Sequence, residues 1–471
     1  MPITPKAVVY TKLPSPENDK PASPVDLTDR TMRRHKEKIL CLMRQENYDC
    51  LVVYGDREHG GNFGYLAGFE PRFEEAVLVL HSGGEAYMIL GNEALRMAAH
   101  SRMEVTALHT PYFSLPNQPM DGEELLEEVF AKAGVSAGQK LGIAGWKLFA
   151  AGLQDSRKML EVPEFITRPV KQLVGDSGLV LNASDLFIQP GKGARCLMNA
   201  NEIAHYEFGA ALASYCVFQT IQALAIGKTE MELAENLAAF GQPVTVQTIC
   251  ASGERFKKAV VAPRNKKVEK GDRFSVTMGL RGGLTNRVAY AAASAEDLPG
   301  GERDYLAKVA KPYFAAMATW YSTVKTGRTG GELYDAVEQC APKKAYGWKL
   351  NPGHLTSSEE WMASPIYPGS EVTLESGMLL QMDIIFGVAG YGGCNAEDGI
   401  ALADEALRRE LAREYPAVWE RIQRRRQYMQ QVLGIPLDAS VLPLSNIAGY
   451  VRPLLLQKEQ ALKLDLKAET V

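Results

Sequence analysis

The first 190 residues alternate between amphipathic segments and continuously apolar segments. Residues 28–46 carry apolar side chains at helical spacing, and Thr28 is suited to cap that helix. Apolar runs of strand length predict buried strands at residues 50–54, 76–81, 86–90 and 140–144. Helical patterns recur near residues 92–100 and 122–134. This alternation of strands and helices predicts an α/β domain over residues 27–190.

The second half contains an internal repeat. The segment Gly227–Leu233 (GKTEMEL) resembles Gly327–Leu333 (GRTGGEL), and each follows a long segment with apolar residues at helical spacing. Strand-like runs follow each copy, at residues 243–250 and 273–278 and then at 378–385 and 399–403. We therefore expect residues 195–403 to form an α+β domain of two duplicated halves that share one sheet, with a pocket at their seam.

Both ends of the chain lie outside these two predicted domains. Residues 1–26 are rich in proline and charge and predict an irregular arm, which is either a disordered tail or packed on a partner subunit. Residues 405–433 predict a charged helix within a C-terminal extension, 404–471, that packs on the second domain or on a dimer mate. The arginines that we expect to form a solvated surface of this helix are Arg421, Arg424, Arg425 and Arg426.

The composition is that of an ordinary globular protein. The 471 residues carry a net charge of −4, which gives no basic surface for nucleic acid or an anionic membrane. No apolar run reaches the ~18 residues of a membrane span, and the N-terminus lacks an apolar signal core. Seven widely spaced cysteines without a CxxC pair argue against disulfides and a cysteine-based zinc site. These features favour a cytoplasmic protein.

Three polar residues of the second half each allow a structural or a functional interpretation. His354 follows Asn-Pro-Gly in a predicted loop, where a histidine is either a structural hydrogen-bonding residue or a general acid or base. Asp383 and Glu397 lie in apolar strand-like runs, and a buried carboxylate there needs a partner. Each carboxylate is therefore either a site residue or half of a structural salt bridge. The local sequence leaves both interpretations of each residue open.

Further polar side chains are candidates for substrate binding. Arg255 belongs either to a solvated loop or to a clamp on an anionic substrate group. Asn286 and Tyr290 lie on the predicted strand after a tight Gly282-Gly283 turn, and they face either the pocket or the far side of the sheet.

Four segments, in order along the chain, carry a family resemblance. They are GNFGYLAGFEPRFEEAVLVL (61–80), VEKGDRFSVTMGLRGGL (268–284), the Gly-His to Gly-Met segment 351–386, and NAEDGIAL (395–402). Together they resemble the creatinase/aminopeptidase P family (peptidase M24), over roughly residues 30–403. The resemblance implies a creatinase-like α/β N-terminal domain, a second domain with the duplicated pita-bread fold, and a homodimer.

The resemblance also assigns positions to the family's metal ligands. The metallopeptidase branch holds two divalent ions with two Asp, one His and two Glu. In this sequence these positions are Thr277, then Asn286 or Arg287, then His354, Asp383 and Glu397. The resemblance therefore makes His354, Asp383 and Glu397 the candidate catalytic residues. The family's additional catalytic His falls at Trp361, and the base of creatinase falls at Val260. The resemblance makes Trp361 a candidate for substrate binding, together with Arg72 in the stretch that reaches toward the neighbour's pocket in creatinase-like dimers.

Charge argues against two metal ions at these positions. Asp383 and Glu397 are negative, Thr277 is neutral, and an inward-facing Arg287 would add a permanent positive charge. Two divalent ions would then lack ligands. We predict no dinuclear site, and we expect Arg287 to pair with Asp383 or Glu397 in place of the metal, which requires good geometry and additional hydrogen bonds.

Three functions remain open from the sequence. The first is a creatinase-like, metal-independent hydrolase of a C–N bond in a small, polar, nitrogen-containing metabolite, without a cofactor. His354 would move the proton, and Asp383 and Glu397 would hold a cationic group. The second is a binding protein with a dead peptidase site. The third is an Xaa-Pro dipeptidase or aminopeptidase with a single Mn or Zn ion on the same three residues. The expected partners are a small-molecule substrate and a second copy of the chain.

Overall fold

The structure is a computed structural model that describes residues 3–21, 23–150, 154–258 and 261–465. It divides into two compact units. One comprises Leu27–Cys196, and the other comprises Met1–Asp26 together with Leu197–Val471. Among the described residues, no helix has both the length and the apolar character needed to cross a membrane.

The strands and helices are numbered here in chain order. The strands are β1 (Val8–Lys12), β2 (Cys50–Gly55), β3 (Ala76–His81), β4 (Ala86–Leu90), β5 (Thr106–His109), β6 (Lys140–Ala144), β7 (Leu179–Asn182), β8 (Ile249–Ser252), β9 (Arg273–Leu280), β10 (Gly283–Tyr290), β11 (His354–Leu355), β12 (Leu379–Met382), β13 (Asn395–Leu402), β14 (Val441–Pro443) and β15 (Gln460–Leu464). The helices are α1 (Asp29–Gln45), α2 (Gly61–Ala67), α3 (Leu126–Lys132), α4 (Glu164–Val174), α5 (Asp185–Ile188), α6 (Ala200–Ala223), α7 (Glu230–Ala234), α8 (Glu254–Lys257), α9 (Lys311–Thr323), α10 (Gly330–Cys340), α11 (Lys343–Tyr346), α12 (Glu405–Glu414) and α13 (Pro416–Gln427).

The unit Leu27–Cys196 is built on a mixed sheet with the strand order β5-β4-β3-β2-β6-β7. β2 pairs antiparallel with β3 and parallel with β6. Because β2 is buried along its whole length, its sequence is continuously apolar. The core between the sheet and the helices α3 and α4 includes Val52, Ile143, Phe130 and Ile166.

The elements predicted for this unit are mostly confirmed. α1 occupies the predicted helix, and the hydroxyl of Thr28 accepts a hydrogen bond from the Thr31 backbone N–H at 3.2 Å. The strands predicted at 50–54, 76–81, 86–90 and 140–144 are β2, β3, β4 and β6. The helix predicted near 92–100 is wrong, because residues 95–100 form only a 3₁₀ turn without a buried face.

The larger unit contains a sheet with the strand order β11-β12-β13-β10-β9-β8, and β14 pairs with β13. All of these pairings are antiparallel. The helix α6 packs on β9 and β10. Its side chains are buried on several faces rather than along one stripe, which is why its sequence is apolar around most of the helix.

The predicted duplication is confirmed in this unit. Gly227 and Gly327 take positive φ angles of 88° and 83° after α6 and α9. Thr229 and Thr329 then cap α7 and α10, each in a capping box with a glutamate three residues later. The first copy leads to β8, β9 and β10, and the second leads to β11, β12 and β13. The chain therefore has an α/β N-terminal unit and a duplicated α+β unit.

The N-terminal arm is more regular than its sequence predicts. β1, within the arm, pairs antiparallel with β15. The Tyr428 hydroxyl donates to the Pro14 carbonyl at 2.8 Å, and Arg424 pairs with Asp19. The proline-rich composition of the arm gave no signal for β1. This five-residue strand forms because it pairs with another strand, and its own residue pattern does not specify it.

The charged C-terminal helix differs from its prediction in two respects. Tyr415 and Pro416 divide it into α12 and α13, because the residue before a proline is driven out of helical geometry. The predicted solvated arginine surface is also wrong for Arg425, which is 6% exposed. Arg425 pairs with the fully buried Glu207 at 2.7 Å.

Candidate active site

Cross-strand register brings several of the predicted site residues of the larger unit onto one face of its sheet. His354 of β11 lies opposite Gln381 of β12, and Asn286 of β10 lies opposite both Glu397 of β13 and Thr277 of β9. Directly opposed residues of antiparallel strands share a face. These side chains therefore form a polar row across the sheet.

His354 lies at the centre of the charged half of this row. Its Nε2 atom is 3.3 Å from Glu360 Oε1 and 3.7 Å from Glu397 Oε1. Its Nδ1 atom lies 3.1 Å from the Leu355 carbonyl, which can only accept, so Nδ1 carries a hydrogen. Nε2 makes no aligned hydrogen bond among the described residues, although it is buried. An atom of this kind, aimed at two carboxylates, requires a proton or another cation between them.

The two carboxylates predicted from the sequence are buried beside this histidine. Asp383 is 5% exposed and Glu397 is 6% exposed. The Gln381 amide donates to Glu397 Oε1 at 3.3 Å and to the Leu284 carbonyl at 2.7 Å. Asp383 Oδ1 is buried and has no hydrogen-bond partner among the residues described. It is therefore available to a donor or a cation from outside the protein.

The environment shifts the pKa values of this group away from their ordinary ranges. Burial lowers the pKa of His354, but its contacts with Glu360 and Glu397 outweigh burial and raise that pKa to about 10. Burial raises the pKa of Asp383 to about 6, against the opposing charge of His354. Burial and the charge of Asp383 raise the pKa of Glu397 to about 8. Several strongly raised pKa values within one buried cluster are typical of functional sites.

Trp361 closes one side of the cluster. Its ring stacks on the His354 ring with 3.9 Å between centroids and an interplanar angle of 25°. Trp361 is 40% exposed, whereas His354 is 0% exposed. The tryptophan therefore shields the imidazole from solvent and presents an aromatic surface beside it, and its role in substrate binding stays a prediction.

Neutral side chains make up the other half of the row. Asn286 donates from its amide to the Thr277 hydroxyl, and Asn395 donates to Asn286 Oδ1 at 2.9 Å. The Tyr313 hydroxyl lies 3.1 Å from Asn395 Oδ1. Asn286, rather than Arg287, is thus the residue of this strand pair that faces the cluster.

The expected pairing of Arg287 with Asp383 or Glu397 is wrong. Strand alternation turns Arg287 to the opposite face from Asn286. There its guanidinium donates to Asp398 Oδ2 at 2.8 Å, and to the carbonyls of Tyr450 at 3.0 Å and Ile447 at 2.6 Å. These partners occupy the guanidinium, so Arg287 is not a substrate-binding residue of this site.

Three other substrate-binding candidates have partners of their own. Tyr290 lies further along β10 than Asn286, where it donates to Glu302 and packs against Tyr305. Arg255 pairs with the buried Glu230 and donates to the Ala262 carbonyl at 2.7 Å. Arg72 belongs to the other unit, where it contacts Glu70 and the Arg57 carbonyl. Val260, the position of the creatinase base, lies outside the described residues.

Glu360 is the site residue that the sequence analysis missed. It lies in the loop between β11 and β12, six residues after His354 in GHLTSSEEW. Two adjacent glutamates before Trp361 were the available signal. Loop residues follow no period, so the sequence could not indicate which of the two carboxylates turns toward His354.

The residues present fit one divalent ion and not two. One ligand atom each from His354, Glu360 and Glu397 lie within 4.8 Å of one another, and an imidazole with two carboxylates is a suitable ligand set for Mn or Zn. The hydrogen on His354 Nδ1 leaves Nε2 free to bind a metal. A second ion would have to use Thr277 and Asn286, which carry no charge and bind each other.

Comparisons with known proteins agree with this architecture. Residues 196–404 match the sequence model of metallopeptidase family M24. No curated protein sequence matches the chain significantly. A recombinant prolidase from Thermococcus sibiricus is similar in structure, with a TM-score of 0.63 and 20% identity over 81% of this chain and 96% of that one.

Two further solved structures are similar at comparable levels. Dipeptidase PepE from Mycobacterium ulcerans has a TM-score of 0.61 and 17% identity, over 80% of this chain and 95% of that one. X-Pro aminopeptidase from Thermotoga maritima has a TM-score of 0.59 and 16% identity, over 79% and 95%. At these identities, the similarity establishes the shared fold.

Proposed function

Because residues 196–404 make this chain a divergent member of metallopeptidase family M24, a family of enzymes that hydrolyse peptide-type bonds, we propose that it hydrolyses a C–N bond of this type. We propose a small, polar, nitrogen-containing substrate and chemistry carried by the protein's own side chains, without a metal requirement. A cytoplasmic location and a homodimer are part of the same proposal.

The observation that carries the proposal is the convergence of one imidazole and three carboxylates in a buried cluster. Hydrolysis of an amide needs a base for the attacking water and an acid for the leaving nitrogen. Glu397 serves as the base, because it lies directly opposite the neutral donors of the row. His354, oriented by Glu360 and the Leu355 carbonyl, donates the proton from Nε2. Asp383 binds an amino group of the substrate through its unpartnered oxygen.

The same contacts allow the site to be restored after each turnover. Glu397 takes a proton from water as the water oxygen bonds to the carbonyl carbon. His354 gives a proton to nitrogen as the C–N bond breaks, and the products are a carboxylic acid and an amine. The proton on Glu397 then returns to His354, 3.7 Å away.

The spacing of His354, Glu360 and Glu397 favours a second candidate, in which the same hydrolysis uses a single Mn or Zn ion. A bound ion would polarise the substrate carbonyl and lower the pKa of water. In that case the three residues would hold the ion, and Asp383 would still be free for the substrate amino group.

The experiment combines metal analysis with hydrolysis assays. Protein purified without added metal is analysed by mass spectrometry for bound ions, and dipeptides and small amides are assayed with EDTA or with added Mn. The proposal expects turnover that EDTA does not reduce. A stoichiometric ion and loss of turnover in EDTA would support the single-ion enzyme instead. Ligand-induced stabilisation without any turnover would indicate a binding protein, which the loss of acidic ligands at Thr277 and Asn286 favours.

Paired variants test the assignment of Glu360. We expect Glu360→Gln to lower kcat by about 10²-fold, because the imidazole loses the charge that holds its proton. Glu359→Gln is the matched control, because its carboxylate bonds to the hydroxyls of Ser357 and Ser358 rather than to His354. Equal effects of the two substitutions would contradict the assignment.

A further inference from the structure

The neutral half of the polar row is a hydrogen-bond chain with a single direction. It runs from the Asn395 amide to Asn286 Oδ1 and from the Asn286 amide to the Thr277 hydroxyl. The Tyr313 hydroxyl, next to this chain, lies 3.1 Å from Asn395 Oδ1 and 2.9 Å from the Ala396 carbonyl. The Asn286 amide accepts one hydrogen bond and donates another to the next residue. The chain therefore ends on Thr277, whose oxygen already accepts.

Thr277 is left with an unused donor. A hydroxyl has one hydrogen to donate, and the described residues provide no acceptor for the hydrogen of Thr277. Asn286 likewise retains a second amide hydrogen beyond the one that it gives to Thr277. Thr277 is 3% exposed and Asn286 is 7% exposed, so both donors lie where water is largely excluded. Unused donors are costly in such a place unless a ligand oxygen reaches them.

These donors lie beside the proposed base. Asn286 is directly opposite Glu397 and directly opposite Thr277 in the register of three adjacent strands. A carbonyl group whose carbon receives the water held by Glu397 would direct its oxygen across β10 toward Asn286 and Thr277. The proposed base and the donors therefore flank the reacting group from three adjacent strands.

Resting on the proposed function, we propose that the Thr277 hydroxyl and the Asn286 amide form an oxyanion-binding site. When the water oxygen bonds to the carbonyl carbon, the π electron pair of the carbonyl moves to its oxygen. The two neutral donors bind that negative oxygen until the C–N bond breaks and the carbonyl re-forms. Fixed donors in a buried site stabilise such a charge without reorganising.

The neutrality of these residues also defines the ligand class. The donor pair carries no full positive charge, so it binds an oxygen through hydrogen bonds and not through an ion pair. The site therefore takes the oxygen of an amide carbonyl, which becomes negative only during reaction. A phosphinate, whose tetrahedral centre resembles that intermediate, is the suitable probe.

The test uses a phosphinate analogue of alanylalanine and the dipeptide itself, both titrated by calorimetry in buffer with EDTA. Thr277→Val removes the hydroxyl and keeps the shape, and Thr277→Ser is the matched control that keeps the hydroxyl. We expect Thr277→Val to weaken phosphinate binding at least 10-fold and dipeptide binding less than 3-fold. Thr277→Ser should bind both within 3-fold of the wild type. On any substrate that is turned over, Thr277→Val should lower kcat by about 10²–10³-fold with little change in KM.

The outcomes separate this inference from the proposed function. Phosphinate binding that depends on Thr277, without turnover of any substrate, would retain the oxyanion site and overturn the hydrolase. Turnover or phosphinate binding that is unchanged in Thr277→Val would overturn the oxyanion site alone. A wild type that fails to bind the phosphinate overturns it as well. If Thr277→Val does not fold, Asn286→Asp replaces it, because a carboxylate there should repel the phosphinate.

Discussion

At the scale of single residues, neighbouring positions on one strand have unrelated roles. Asn286 faces the polar row and contacts Thr277, whereas Arg287 faces the other side and contacts Asp398. Asp398 also accepts from the Ser445 hydroxyl at 2.6 Å. Both side chains are buried, with exposures of 3% for Arg287 and 0% for Asp398. Arg287 and Asp398 therefore form a structural ion pair behind the site.

Removing one partner of this pair should destabilise the protein strongly. We expect Arg287→Met to lower the free energy of unfolding by about 3–5 kcal/mol, because it leaves the Asp398 carboxylate buried without its counter-charge. The double variant Arg287→Met/Asp398→Leu should recover part of that loss, because an apolar pair needs no counter-charge. Urea denaturation measures both. Equal stability of the single and double variants would contradict the pairing.

At the scale of secondary-structure elements, the first turn after each long helix is repeated in detail. Thr229 and Thr329 form the same capping box after the same left-handed glycine turn. Both threonines also form isolated bridges, with Lys267 and Thr373 respectively. Local hydrogen bonds fix these turns, which is why a seven-residue sequence match was sufficient to reveal the duplication.

The contact between the arm and α6 should depend on pH. His205 of α6 donates from Nδ1 to the Val25 carbonyl, and burial lowers the pKa of His205 below its ordinary value of 6.5. A histidine whose pKa is lower in the folded protein than in the unfolded chain contributes stability at pH values above its unfolded-state pKa. This contribution is lost as the pH falls through its folded-state pKa. We expect the wild type to lose more stability between pH 7.5 and pH 5 than His205→Gln does.

Urea denaturation at several pH values measures this difference, with His109→Gln as a control at an exposed histidine. The control should keep the pH dependence of the wild type. If His205→Gln keeps that dependence too, the histidine contributes nothing to it.

At the scale of the whole molecule, two segments far apart in the sequence form one small sheet. β1 near the N-terminus pairs with β15 near the C-terminus, and both belong to the unit that also holds the site. The unit Leu27–Cys196 is continuous in sequence and has its own sheet and core. The larger unit is discontinuous, because it needs residues from before and after the other unit.

This arrangement predicts how fragments of the chain behave. We expect a fragment of residues 27–196 to fold and to unfold cooperatively on its own, because its core and sheet are internal. A fragment of residues 197–471 should melt at a lower temperature than the same segment in the full chain, because β15 loses its partner strand. Circular dichroism melts of both fragments test this. An unfolded 27–196 fragment would contradict it.

Much of the fold follows from local pattern. The continuous apolar runs at 50–54 and 76–81 and the capped helix at 29–45 are set by neighbouring residues, so the sequence predicted them. The short strand β1 was missed, because its pairing comes from a segment more than 440 residues away. Residues 95–100 form a 3₁₀ turn where the sequence predicted an α-helix, because a short apolar pattern does not distinguish the two.

The site divides in the same way. Asp383 and Glu397 stand out in the sequence as carboxylates within apolar runs, whereas His354 was identified by its place in the resembling Gly-His segment. The structure brings the three together. Tertiary structure alone decided that Glu360 turns toward His354 and that Arg287 turns away. Strand alternation separates two faces but does not say which face a distant chain segment will cover, and a loop has no period at all. Pairing between strands that are far apart in the chain made those choices.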